Sequence, residues 1–230
     1  MLARSRRFRV NAVVVASSGL KALLVVLAVG CAIATFLVFR PKHTNGSSFA
    51  NRLGADPELR EFVSGLRSSG QGSAVEQIIA TKTASGFGRL DVPTRRRRLQ
   101  LLSEILGVSG DETCVAMAGG SAPPEDVRAA VQRLPSEQQA AWDEVLLAAL
   151  RAEIRQTPPP PSPSEAEIER VAAVLRAQTR GDPQLQAVTP DAGAAYARKL
   201  CRVVLDTYRI ILQMPDDLQS AALRMEFQFK

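Results

Sequence analysis

One histidine, one tryptophan and two tyrosines are all that the 230-residue chain holds of those residue types. A single imidazole, His43, excludes by count a histidine-dependent catalytic triad and any multi-histidine zinc site. Runs of period-two alternation long enough for a strand are missing, and no repeat of fixed length survives counting. The first 42 residues contain no acidic side chain, yet they carry Arg4, Arg6, Arg7, Arg9, Lys21, Arg40 and Lys42. These are 7 of the 29 basic groups, so the net charge of +6 is local: the remainder sets 22 basic against 23 acidic groups. A near-neutral remainder without a basic-aromatic stripe lacks the means to grip a polyanion, and no nucleic-acid partner is expected.

What is present begins with an apolar run. From Ala22 to Phe39 eighteen residues pass without a charge or a proline. As a helix they would span about 27 Å, close to the thickness of a bilayer's hydrocarbon. Five basic residues precede the run and two follow it closely, so its N-terminal side should remain in the cytoplasm. The expectation is a bacterial inner-membrane protein with a single span, embedded in the lipid bilayer through residues 22–39, whose main domain is periplasmic. Three alternatives compete. Ala32-Ile33-Ala34 fits a signal-peptidase site, which would give a protein secreted after cleavage near Ala34, although Phe36 to Phe39 would then follow the cut. Ala28-Val29-Gly30-Cys31 resembles a loose lipobox, and a buried core helix can show the same run.

The expected organisation is a cytoplasmic basic tail over 1–21, the membrane helix over 22–39, and a polar tether over 40–55. A helical subdomain over 56–156, a proline-rich spacer over 157–163 and a second helical subdomain over 164–230 follow. The fold class is all-α, with about eight helices in the exported part. Asp56-Pro57 opens the first, with Leu59, Phe62, Val63 and Leu66 on one face. Ser73 with Glu76, Ser136 with Gln139, and Ser164 with Glu167 have the spacing of capping boxes, and Thr94 is placed to cap another helix. The clearest stripe is Trp142, Val145, Leu146, Ala149, Leu150 and Ile154. A long helix after Thr189-Pro190 puts Ala197, Leu200, Cys201, Val204, Tyr208 and Ile211 together. In the spacer Thr157 to Pro163, four consecutive prolines favour polyproline II, stiff over about 20 Å. It either separates two subdomains or carries the chain back along one helix.

Sequence motifs point to no enzyme chemistry, no cofactor and no metal. The acidic pairs Asp111-Glu112, Glu125-Asp126, Glu165 with Glu167, and Asp216-Asp217 all fall at helix starts, where capping and the helix dipole account for them. Gly86-Phe87-Gly88 and Gly119-Gly120 lack the lysine and the strand-turn-helix context of a phosphate loop, and read as turns. Cys114 and Cys201 fall on apolar faces of two different helices, and in an oxidising compartment they form a candidate disulfide; two separate buried thiols are the alternative. Arg95, Arg96, Arg97 and Arg98 crowd a first helical turn against the dipole, with no acidic residue four positions on. A solvated charged face is the plain reading; contact with a partner protein or lipid headgroups, or pairing inside the fold, are the alternatives.

The function expected from these features is a membrane-anchored interaction module with a protein partner on the periplasmic side, acting as scaffold, adaptor or export helper. A periplasmic hydrolase using Ser, Asp or Glu, and a structural membrane-proximal spacer, are the alternatives.

Overall fold

The apolar spacing and the capping residues together dictate helix after helix, and the computed structural model has no strand among its described residues, which are 48–118, 121–179 and 194–225. The expected membrane segment 22–39 lies outside them, as do Cys31, His43 and Gly119-Gly120. Among the described residues no helix is long and apolar enough to cross a membrane. The helices are α1 (Ser48–Ala55), α2 (Pro57–Leu66), α3 (Val75–Gly86), α4 (Val92–Val108), α5 (Asp111–Ala118), α6 (Pro124–Gln132), α7 (Ser136–Ile154), α8 (Glu165–Thr179), α9 (Ala194–Gln213) and α10 (Asp216–Met225).

Residues 48–55 correct the expectation of a tether reaching residue 55. They form α1, which buries Phe49 and Leu53 against the core. Two apolar side chains at i and i+4 are enough to dock a short helix on a larger surface, although eight residues alone would not hold one. The start of α2 follows the sequence: the Asp56 carboxylate accepts a hydrogen bond from the Leu59 N–H at 3.1 Å, and Pro57 occupies the first turn. Gly70, at a φ of 80°, then turns the chain in a conformation that side chains disfavour.

Two expected caps differ. Ser73 lies in a 3-10 turn, and no side chain caps α3. At α7 the Gln139 amide reaches back to the Leu134 carbonyl at 2.7 Å, where it closes the turn before the helix. The third capping box is present: the Ser164 N–H donates to Glu167 at 2.7 Å, and the Glu167 N–H donates to the Ser164 hydroxyl at 3.3 Å.

Helix α7 is central, packing against α1, α3 and α4. Because it has neighbours on several sides, Leu147 is buried as well as the expected stripe from Trp142 to Leu150. Its closest partner is α3. A Cβ at Gly86 would lie 1.8 Å from the Ala149 carbonyl oxygen, so this glycine serves backbone contact between two helices as well as ending one. Gly86→Ala should therefore force α3 from α7 and destabilise the fold by about 3 kcal/mol, the upper end of overpacking effects. Gly88→Ala, with no atom within 4 Å of the new methyl, should be near neutral. Urea unfolding of both variants, followed by helical circular dichroism, checks the difference.

Beyond the proline-rich segment, α9 packs on α4 and α5, while α10 packs on α8 and α4. Buried residues on both sides of the segment, such as Leu150 before it and Val171 after it, belong to one continuous apolar core.

Ion pairs strap the ends to this core. Arg52 of α1 pairs with Glu144 and Asp56 with Arg151, both on α7, and Glu58 pairs with Arg155, the residue that caps its C-terminus. Asp56 titrates below its usual range because the Leu59 N–H and then Arg151 bond to it, against the opposing effect of burial. Glu58 is lowered by its bond from Arg155. Glu167 falls from 4.5 to about 2, held by the Ser164 N–H and hydroxyl and then by Arg224. Each folded pKa lies below the unfolded one, so the stability these groups supply is present above the ordinary carboxylate range and is lost on acidification, for Glu167 as pH falls from 4.5 toward 2. Melting temperature should drop through that window, and the drop should be shallower in Glu167→Gln.

Candidate functional site

The arginine run divides by helical geometry. α4 begins at Val92, two residues before the expected Thr94 cap. Asp91 caps it by accepting from the Thr94 N–H at 2.9 Å, which is compatible with Pro93 because the first turn leaves its N–H groups unused. Arg95 is therefore already past the first three helical positions and points into the core, 2% exposed. Its Nε donates to the Leu90 carbonyl at 2.9 Å, its Nη2 to the Gly88 carbonyl at 2.7 Å, and its Nη1 to the Leu223 carbonyl at 2.9 Å. One guanidinium thus brackets the turn before α4 to helix α10. Arg98, one helical turn on, is 1% exposed, with its guanidinium carbon 4.5 Å from the centre of the buried Phe87 ring.

The expected contact surface of four arginines is corrected accordingly. Arg95 and Arg98 face inward, and only Arg96 and Arg97 are exposed. Arg96 lies 3.8 Å from Asp216, an exposed pair that contributes little.

Cys114 of α5 and Cys201 of α9 are brought together as a disulfide, with Cα atoms 5.7 Å apart across 87 positions of sequence. They are 0% and 5% exposed. The bridge fixes α9 to α5 inside the apolar core.

A cavity of about 400 Å³ opens beside α3 and α7, lined by Gln77, Ile78, Thr81, Lys82, Ser85 and Glu153. A hydroxyl, an ammonium and a buried carboxylate meet there, and no local pattern marks the place because Ser85 and Glu153 lie 68 positions apart. Ser85 donates to Glu153 at 2.9 Å and Arg89 Nε donates to the same oxygen at 2.7 Å. Burial pushes the Glu153 carboxyl up, and the bonds from Arg89 and Ser85 outweigh it, leaving the group below the usual carboxylate range. A carboxylate so held is a weak base for a serine hydroxyl. Arg89 also donates to the Thr157 carbonyl at 2.8 Å and to Gln156 at 3.2 Å, so the cluster ties the end of α7 to the turn before α4. Clamping accounts for all of its bonds.

No group of three or more His, Cys, Asp or Glu side chains suited to a metal ion occurs among the described residues. The acidic pairs sit in first turns, of α5, α6, α8 and α10. There Asp111 meets Arg198 and Asp217 meets Arg170, each at 3.1 Å. No protein-family model matches the chain, and no curated protein or solved structure matches it significantly.

Proposed function

We propose that the chain is a membrane-anchored helical module that docks another protein on the exported side of a bacterial inner membrane. The observation that carries this reading is the buried Cys114–Cys201 bridge, since structural disulfides form and persist where the surroundings are oxidising. The apolar run 22–39 and the basic residues before it supply the anchor and its direction. Residues 40–47 can reach at most about 28 Å from that run to α1, which keeps the domain beside the bilayer. A helical scaffold in which the polar cluster of Ser85, Arg89 and Glu153 is used as a clamp has binding as its natural use.

The hydrolase alternative would rest on Ser85, but the carboxylate that its hydroxyl meets is ion-paired and titrates low. A spacer with no binding role would explain the anchor but makes no use of the exposed faces of the domain.

Two fusions test the placement. A reporter active only outside the cytoplasm, joined after Lys230, should work, and one active only inside should be silent. Crosslinkable side chains at exposed positions, compared in intact membranes, should then capture a discrete partner from one face of the domain. The reverse reporter result overturns the placement, and capture from no face overturns the docking role.

A further inference from the structure

The proline-rich segment does more than connect helices. Thr157, Pro158, Pro159, Pro160 and Ser162 each precede a proline, which disfavours the helical region for them, and proline itself fixes φ near −65°. The segment thereby favours polyproline II, which has three residues per turn. Burial follows that period: Pro160 and Pro163 turn toward the domain, whereas Pro158 with Pro161 and Pro159 with Ser162 form two exposed edges. Both ends are pinned. Arg89 holds the Thr157 carbonyl at 2.8 Å, and Arg224 holds the Pro161 carbonyl at 3.0 Å while pairing with Glu167. The helix α7 is stopped just before it by Gln156 at a φ of 52°, with the Thr157 N–H donating to the Ala152 carbonyl at 2.9 Å.

We infer that residues 158–162 form a docking ridge for a partner whose groove is walled by aromatic side chains. An extended proline helix is what such grooves accept: its ridged apolar edges fit between aromatic rings, and its exposed carbonyls meet hydrogen-bond donors. Here the ridge is rigid before binding, so little conformational freedom is lost on docking. Pro158 and Pro161 stand about 9 Å apart along the ridge, which sets the spacing of the two aromatic slots. Exposed Glu165 follows at its C-terminal end and calls for a cationic group at that end of the groove. This deepens the interaction reading above and rests on it.

The test titrates purified WW, SH3 and EVH1 domains, whose grooves have this chemistry, against the full chain in detergent micelles. At least one should bind with Kd below about 1 mM. The double substitution Pro158→Ala and Pro161→Ala on the exposed edge should weaken that binding tenfold or more. A free peptide covering Arg155 to Glu165 should compete on the unsubstituted chain, which keeps the test decisive if the double variant folds poorly. No binding by any of the domains, undiminished binding by a folded double variant, or no competition by the peptide would each overturn the ridge. Capture of a partner in membranes through Arg96 or Arg97, with no domain bound, would overturn the ridge and leave the broader docking role standing.

Discussion

Removing the Cys114–Cys201 bridge, by reduction or by the pair Cys114→Ala and Cys201→Ala, should lower the unfolding free energy by about 4 to 5 kcal/mol. The magnitude comes from the 87 positions between the cysteines: a cross-link over so long a loop withdraws much of the unfolded chain's freedom. Replacing both residues avoids leaving one buried thiol facing a void. Equilibrium unfolding in urea, with and without reductant, gives the shift. The reduced wild type should fall near the double variant, and reductant should do nothing further to that variant. A wild-type midpoint that ignores reductant would mean that the two cysteines are not joined.

Arg95 should come next in effect. Its guanidinium satisfies carbonyls of Gly88, Leu90 and Leu223 in the interior, and a shorter side chain cannot reach all three. Leaving buried acceptors unpaired costs about 1 to 3 kcal/mol each, so Arg95→Gln should destabilise by about 3 kcal/mol or more. It should also loosen α10, because Leu223 lies on that helix. Arg97→Gln, on the exposed face two positions away, should stay within about 0.5 kcal/mol of wild type. Thermal melts of the two variants side by side separate the roles. Equal melting temperatures would show that the bracket does not hold the fold.

The contrast between these neighbours shows what a sequence can reveal. Four identical residues in a row carry no mark of which face inward; that depends on where the helix starts, and its cap is Asp91, three residues before the expected Thr94. Asp56-Pro57 and Ser164 with Glu167 were legible because a cap and its partner lie three residues apart and need no tertiary contact. Helix α1 was not, since Phe49 and Leu53 stabilise it only by docking on the core. The same applies to Gly86. Its local setting reads as a turn, whereas its strictest constraint is the Ala149 backbone 63 positions away. The clamp of Ser85, Arg89 and Glu153 is likewise a product of packing between α3 and α7. As for the candidate site, the sequence supplied Cys114 and Cys201 as a possible pair, and tertiary structure supplied the distance between them.

A helical domain held outside the cytoplasm, as proposed, keeps Cys114 and Cys201 oxidised in the cell, and the state of those cysteines there tests the placement most directly. Cells are quenched in acid, the chain is unfolded in urea, and free thiols are tagged with a maleimide of known mass before any reduction. Cys114 and Cys201 should take no tag until reductant is added, after which both should be modified. Tagging of both cysteines without reduction would contradict the placement.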